Sequence, residues 1–228
     1  MIKELDASDI RAKFLSPDDG YAPRREAAEA RIANWAWATA VYFDPRPLHF
    51  ERHGWAPGKR MKVRPANVSH HVQCGVDVNG DILVERKYPG FDETHFYERF
   101  FAYGLEQVEA VSFSQHPDGK FITNITQVDL QNGRPARSVA IGAAGLSEEV
   151  YKYSRQRVER LDFFHHEGIG SDVVEMELWN AIRADYSEDG KLQRVRRQWP
   201  VRSSSPPGSK ASSEIVFERR GTRIYRHS

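Results

Sequence analysis

The sequence predicts a mainly β protein of the α+β class: a large twisted antiparallel β-meander with an N-terminal helix packed on it. Three observations support this fold class. Apolar and polar residues alternate with a period of two from Val68 onward. Asn-Gly and Asp-Gly turns separate the alternating segments, and one early stretch is rich in Ala, Glu and Arg. We expect a single domain, in which the helical and irregular segment 1–67 packs on the sheet formed by 68–228.

The composition fits a soluble globular chain. Its 228 residues, 39% hydrophobic and 29% charged, suffice for one good-sized domain. The most apolar window, residues 32–43, is shorter than the roughly 20 residues that a membrane helix needs. The first residues carry scattered acids and lack the apolar run of a signal peptide. Cys74 is the single cysteine, so no internal disulfide forms. We therefore expect a cytoplasmic location and no membrane partner.

The charge is distributed unevenly along the chain. Residues 69–200 carry 21 Asp and Glu against 15 Lys and Arg, whereas both flanking segments are basic and the formal net charge is +1. A protein that binds nucleic acid usually presents a basic core surface. We therefore expect no nucleic-acid partner and, from the acidic sheet, a basic protein partner. An ordinary solvated surface would carry the same balance.

One long helix is predicted at residues 24–41. The segment is rich in strong helix formers, and turn residues precede it. Ala28, Ile32 and Trp35 are spaced to share one helical face, which we expect to lie on the sheet. The next stretch, 43–60, contains three prolines and two glycines. It is predicted to be an irregular connection or short edge strands.

The first hairpin of the predicted sheet turns at an Asn-Gly pair that ends with Gly80. A three-residue loop with a left-handed Gly80 in a bulge pairs Val76 with Ile82. The same register pairs Cys74 with Val84, so the apolar side chains share one face. A slip of one residue would turn that face outward. Cys74 then acts as a small buried hydrophobe.

Nine further strands follow from the same alternation and turn signals. They are predicted at residues 95–103, 107–115, 121–130, 134–141, 150–153, 157–165, 173–186, 191–199 and 214–219. Ser147, with two glutamates after it, is predicted to begin one helical turn. Residues 202–213, rich in Ser, Pro and Gly, are predicted to form a mobile loop.

Three tyrosines mark related hairpin units. Tyr103, Tyr153 and Tyr186 each precede a polar turn, followed by an aliphatic residue, Glu or Gln, any residue and a second aliphatic residue. The units start 50 and 33 residues apart, so they do not form a repeat of fixed period. Because all hairpins draw on the same turn and strand residues, general hairpin similarity is the alternative explanation.

The third unit carries a family resemblance. Its residues Tyr186, Asp189, Gly190, Lys191 and Leu192 resemble the tyrosine–aspartate repeats of Rhs-type proteins and the antiparallel meanders of bacterial toxin immunity proteins. The similarity extends loosely through the other two units. The chain has too few units to form a shell around a toxin. The resemblance therefore implies the immunity partner, a small sheet protein that binds a cognate toxin domain.

Motifs for catalysis and metal binding are sparse. No Gly-x-Ser-x-Gly motif occurs. His70-His71 and His165-His166 are adjacent pairs, whose members point to opposite faces of a strand, and zinc needs three or four convergent ligands. We therefore predict no catalytic residues, no metal and no cofactor. A metal-dependent enzyme that uses His70, His165 and nearby carboxylates is an alternative.

The combined prediction is a non-enzymatic immunity protein that neutralises a cognate bacterial toxin domain by occluding its active site, as a monomer or in a 1:1 heterocomplex. Tyrosines beside acidic residues suit a protein-binding surface. The predicted partner-binding residues are Tyr151, Tyr153, Glu159, Asp162, Glu167 and Asp172. The main alternative is a ligand-binding β-barrel or a hydrolase that holds a small molecule, with the N-terminal helix closing one end.

Overall fold

In the part of the chain that it describes, the computed structural model contains one large antiparallel β-sheet and three short helices. It describes residues 1–16, 20–90, 96–116, 119–201, 209–220 and 223–226. The helices are α1 (Ser8–Phe14), α2 (Tyr21–Glu29) and α3 (His49–Arg52). The strands are β1 (Ile2–Asp6), β2 (Asn34–Ala38), β3 (Arg60–Met61), β4 (Val72–Val76), β5 (Ile82–Lys87), β6 (Tyr97–Tyr103), β7 (Gln107–His116), β8 (Gly119–Gln131), β9 (Arg134–Gly142), β10 (Gly145–Ser154), β11 (Arg157–Glu167), β12 (Val173–Tyr186), β13 (Leu192–Trp199), β14 (Ser212–Arg220) and β15 (Arg223–Arg226). The mainly β class is confirmed.

Strands that follow one another in sequence are neighbours through most of the sheet. The order runs from β15 back to β4 without interruption and continues with β2 and β3. Among the described residues this order has two ends, so the sheet is open. β1 is not part of this linear order. It pairs with residues 173–177 of β12, whereas β13 pairs with residues 181–186 of the same strand. β1 therefore extends the sheet beyond the end of β13.

The strands predicted after residue 95 correspond to β6 through β14. The single helical turn predicted at Ser147 is wrong, because β10 begins at Gly145 and pairs with β9 on one side and β11 on the other. Two neighbours satisfy its backbone groups, which one isolated turn would leave unpaired. Residues 202–208 of the predicted loop lie outside the described residues, and residues 212–213 belong to β14.

The helix predicted at residues 24–41 is wrong in its second half. α2 ends at Glu29, and the following β2 pairs antiparallel with β4. Aromatic residues favour strands, and the edge of β4 offers β2 a full set of backbone partners. Trp35 and Trp37, two residues apart, are part of this strand. The expected packing of a helix on the sheet is confirmed for α2, whose Ala28 is buried in the main core.

The β4–β5 hairpin turns as predicted. Gly80 has a φ of +89°, in the left-handed region that favours glycine. Val76 pairs with Ile82, as the three-residue loop requires. The apolar residues next to the turn therefore share one face.

Beyond that pair, the β4–β5 register departs from the prediction. It shifts between Gly75 and Val76, so Cys74 lies opposite Glu85 rather than Val84. β5 carries one extra residue there, and such a bulge reverses the alternation of the residues that follow it. Glu85 is consequently placed on the face of Cys74, where Val84 was expected.

The sheet buries apolar side chains on both faces. The helix face, which carries Phe100, Phe113 and Phe164, holds the largest core cluster and lies under α1 and α2. The ring of Tyr21 in α2 meets Phe100 and Phe113 edge-on, with centroids 5.6 and 5.2 Å apart. The opposite face, which we term the capped face, is crossed by residues 39–58. We call these residues the capping segment.

Candidate functional site

The capping segment spans two apolar clusters of the capped face. At one end, Phe43 packs against Phe101 of β6 with ring centroids 5.6 Å apart. At the other, Leu48 packs against the cluster that contains Leu161 of β11. Between these contacts, two prolines flank Arg46 and fix the backbone φ on either side of it. The segment is therefore held at both ends and encloses polar groups in its middle.

Asp44 is the centre of the ion pairs under the capping segment. Its side chain is 1% exposed and accepts hydrogen bonds from Arg46 at 2.8 and 3.0 Å and from Arg99 of β6 at 3.0 Å. Burial alone would raise the pKa of Asp44, but the two guanidinium groups hold it well below its usual range. Asp44 is therefore ionised at neutral pH.

A second buried carboxylate, Glu149 of β10, completes the network. Its Oε1 lies 2.6 Å from Nη2 of Arg52 and 3.7 Å from Nη1 of Arg46, and the Tyr151 hydroxyl donates to the same carboxylate. Burial opposes its ionisation, yet Arg52 and Arg46 lower the pKa of Glu149. Arg46 thus lies between a carboxylate of the capping segment and a carboxylate of the sheet.

Glu85 differs from these two carboxylates. It is 5% exposed, and its Oε2 receives no hydrogen bond from any described residue. Arg99 is its direct neighbour across β6, but the Arg99 guanidinium donates to Asp44. Burial raises the pKa of Glu85 to about 7. Both protonation states of Glu85 are therefore populated near neutral pH.

A cavity of about 480 Å³ lies between the capping segment and the sheet. Glu85, Lys87 and Ser112 contribute polar groups to its wall, and Phe50 and Trp55 contribute aromatic ones. Trp55 is 55% exposed, so it lies where the cavity opens to solvent. The volume of the cavity is within the usual range of small-molecule sites.

His49 also lines this cavity. Burial lowers its pKa to about 3, so the imidazole is neutral at physiological pH. Its Nε2 lies 3.8 Å from a carboxylate oxygen of Asp44, and its Nδ1 has no hydrogen-bond partner among the described residues. Together with Glu85, it gives the wall two polar groups whose hydrogen-bonding capacity is not fully used.

A second feature lies at the solvent-exposed end of the helix face. Four cationic residues stand directly opposite one another on four adjacent strands: Lys152, Arg160, Arg183 and Arg196. The side chains of Lys152, Arg160 and Arg196 are 59%, 33% and 40% exposed. Like charges directly opposite on a sheet repel each other. We call these four residues the cationic row.

Several acidic residues of the segment 69–200 lie inside the protein. Among the described residues of this range six carboxylates are buried, namely those of Asp77, Glu85, Glu98, Glu148, Glu149 and Asp162. Buried carboxylates are paired with cations in most cases, as Glu98 is with Arg86 at 2.6 Å. These six carboxylates are therefore not available to a partner at the sheet surface, and the expected basic partner stays a prediction.

Two of the predicted partner-binding residues are buried. Tyr151 donates to Glu149 beneath the capping segment, on the capped face. Asp162 lies on the helix face, 3.2 Å from Lys152 and 2.6 Å from Arg160. Each of them therefore contacts other side chains of the protein rather than presenting an open surface.

The other four predicted residues do not form one patch. Tyr153 is half-buried, and Glu159 and Glu167 are exposed. Glu159 and Glu167 are eight residues apart on β11, which is about 26 Å along a strand. Asp172 is exposed and lies 2.8 Å from Arg11 of α1. Their role in binding stays a prediction.

Sequence reasoning missed Asp44, Arg46, Glu85 and Arg99. These residues come from the irregular segment and from two different strands, and no motif connects them. The one local signal was Arg46 between two prolines, in a stretch predicted to be an irregular connection. Prolines on both sides indicate a chain whose path is fixed.

No metal cluster is found among the residues described: no group of three or more His, Cys, Asp or Glu side chains could hold an ion. His70 precedes β4 and His165 lies in β11, seven steps away in the strand order. No helix in the described ranges is long and apolar enough to cross a membrane. No family model matches the sequence, and no curated protein matches it.

Proposed function

We propose that the protein is a non-enzymatic binding protein that neutralises a partner protein, a cognate bacterial toxin domain, by covering its active site. The observation that carries the proposal is the cationic row. It is a set of like charges, placed side by side on an exposed part of the sheet. The repulsion between these charges destabilises the free protein, and an acidic partner that binds there offsets this repulsion.

The dimensions of the cationic row suit a protein surface. Four strands at about 4.8 Å spacing give a row about 14 Å long. Asp162 and Asp185 lie beside the row, the latter 3.1 Å from Arg196. Glu159 lies in the same surface pocket as the row, and four cations against three carboxylates leave a local positive charge. Arginine is also among the residues enriched at the centres of protein interfaces.

The charge of the row changes the expected chemistry of the partner. The sequence favoured a basic partner, but the exposed end of the helix face favours an acidic one. Electrostatic complementarity of this kind speeds association and weakens with salt. The resemblance of the tyrosine-marked hairpins to immunity proteins supports a toxin domain as that partner.

A growth assay tests the proposal. The product of the reading frame next to this gene is expressed alone and together with the full chain. We expect that product to inhibit growth and the full chain to restore it. Arg183→Glu, which reverses the charge of an exposed residue of the row, is expected to reduce the restoration. Lys62→Glu makes the same charge change at an exposed residue outside the row and serves as the control.

Two results would contradict the proposal. One is a neighbouring product that inhibits growth equally with and without the chain. The other is a restored growth that Arg183→Glu and Lys62→Glu leave equally intact, since the row would then have no part in binding.

A further inference from the structure

Glu85 is a buried carboxylate whose Oε2 has no hydrogen-bond donor among the described residues. Other buried glutamates have a cation in direct contact: Glu98 has Arg86 at 2.6 Å, and Glu149 has Arg52 at 2.6 Å. Glu85 is also buried, at 5% exposure, yet its Oε2 accepts no hydrogen bond from the described residues. A buried carboxylate without a donor is costly, and a ligand that brings a donor removes that cost.

The cavity brings such a ligand next to the Glu85 side chain, which forms part of its wall. Glu85 lies in the cavity wall together with Lys87, two residues further along β5 and on the same face. Lys87 is exposed, whereas Glu85 is not. The cavity therefore presents a carboxylate inside and an ammonium group nearer to solvent, about 7 Å apart along the strand.

The charges under the capping segment limit the net charge of a ligand. The cations are Arg46, Arg52 and Arg99, and the carboxylates are Asp44, Glu149 and Glu85. These enclosed groups balance when Glu85 is ionised, and Lys87 adds one positive charge at the exposed side of the cavity. A ligand with a single positive or negative charge would upset this balance in a partly desolvated site, whereas one that carries both charges would keep it.

The aromatic residues indicate an apolar part in the ligand. Phe50 and Trp55 line the cavity, and Trp55 stacks on His53 with centroids 4.5 Å apart. Exposed aromatic faces near the opening of a site bind apolar or aromatic groups.

We propose that the cavity is a binding site for a small zwitterion with an apolar or aromatic side group, of the α-amino acid class. Its ammonium group donates to Glu85, its carboxylate faces Lys87, and its side group lies against Phe50 and Trp55. The site is on the capped face, whereas the cationic row is on the helix face. The inference is therefore independent of the proposed toxin binding.

Calorimetry on the full chain with three matched probes tests this inference. L-phenylalanine carries both charges, phenethylamine carries only the ammonium group, and 3-phenylpropionate carries only the carboxylate. We expect L-phenylalanine to bind and each of the other two to bind more than about tenfold more weakly, because each loses one charge-assisted hydrogen bond.

Variants identify the two ends of the ligand. Glu85→Gln is expected to weaken the binding of L-phenylalanine and of phenethylamine by more than about tenfold. The binding of 3-phenylpropionate should be unchanged. Lys87→Gln is expected to weaken the binding of L-phenylalanine and of 3-phenylpropionate and to leave the binding of phenethylamine unchanged. Lys62→Gln, an exposed substitution outside the cavity lining, should change none of them.

The inference is overturned if L-phenylalanine gives neither heat nor a shift of the melting temperature at millimolar concentration. It is also overturned if Glu85→Gln binds L-phenylalanine as the unaltered chain does, or if phenethylamine binds as tightly as L-phenylalanine. If Glu85→Gln does not fold, the exposed Lys87→Gln decides, because equal binding of L-phenylalanine by that variant contradicts the proposed orientation.

Discussion

Glu85 lies directly opposite Cys74 across the β4–β5 pair, at the position where unbroken pairing from the turn would place Val84. The bulge in β5 thus exchanges an aliphatic side chain for a carboxylate on the capped face. Cys74 is fully buried, and burial raises its pKa to about 12. One extra residue in a strand therefore places an ionisable group in the wall of the cavity.

Glu85→Gln is expected to change the pH dependence of stability. The pKa of Glu85 is about 7 in the folded protein against 4.5 for an ordinary glutamate. Because the folded pKa is raised, the contribution of Glu85 to the free energy of unfolding is fully present below pH 4.5 and is lost as pH rises through 7. Over that interval the loss amounts to about 3 kcal/mol. The amide of Gln cannot ionise, so the variant avoids the loss.

Urea unfolding at pH 4.5, 6 and 8 measures this effect. The charged groups that act on the pKa of Glu85 are those of Arg99, Asp44 and Lys87, and they are the same in both proteins. The difference in unfolding free energy between variant and parent should grow with pH in favour of the variant. A difference that is constant with pH would contradict the buried, donor-free placement of Glu85. The exposed substitution Glu188→Gln is the control.

Asp44→Asn is expected to destabilise the protein strongly. The substitution leaves Arg46 and Arg99 without the carboxylate that both contact in a site where Asp44 is 1% exposed. Removing one partner of a buried ion pair typically costs about 3–5 kcal/mol. Chemical unfolding of variant and parent at pH 7 measures the loss. Asp189→Asn removes an exposed carboxylate paired with Lys191 and should have a far smaller effect; equal effects would contradict the central position of Asp44.

Arg183→Gln is expected to stabilise the free protein slightly at low salt. Arg183 stands between Arg160 and Arg196 in the strand register, so its removal relieves repulsion on both sides. Opposed charges on a sheet contribute about 0.2–1 kcal/mol, and salt screens them. Thermal unfolding at low and high ionic strength should show a gain that fades with salt. Arg155→Gln, at an exposed turn position, is the comparison; a gain of the same size there would argue against repulsion within the row.

Gly190→Ala is expected to destabilise the β12–β13 hairpin. Gly190 has a φ of +86°, and a Cβ there would lie 2.0 Å from Nη2 of Arg157. The left-handed conformation costs an L-residue about 1–2 kcal/mol, while the Arg157 side chain can move aside. Gly170→Ala is the matched control, because nothing lies within 4 Å of its Cβ position and its φ is not in the left-handed region. Equal melting temperatures for the two variants would contradict the turn geometry.

The sequence predicted most of the sheet because antiparallel hairpins are local. Alternation and Asp-Gly or Asn-Gly turns lie within about 20 residues of each other, so β6 through β14 could be located from neighbouring residues. The β2 strand was missed because its partner, β4, is far along the chain, and the helix-forming residues of α2 run directly into it. Tertiary pairing overrode the local propensity there.

The candidate site was not predictable for the same reason. Asp44 and Arg46 belong to an irregular segment, and Arg99 and Glu149 belong to strands that are not neighbours. Only the three-dimensional path of the capping segment brings these side chains together. The bulge that turns Glu85 inward also reversed the expected alternation of β5, so the sequence pattern assigned that position to Val84.

The pairing of β1 with β12 has a consequence for the order in which the protein assembles. Ile2 pairs with Glu177, whereas each hairpin from β4 to β11 joins neighbours in sequence. Local hairpins form quickly, and pairings between distant segments form late. Leu5 of β1, which is buried in the main core, lies directly opposite Val174 of β12. β1 is synthesised before β12. We therefore expect β1 to remain unpaired, with its apolar side chains exposed to solvent, until β12 has been synthesised.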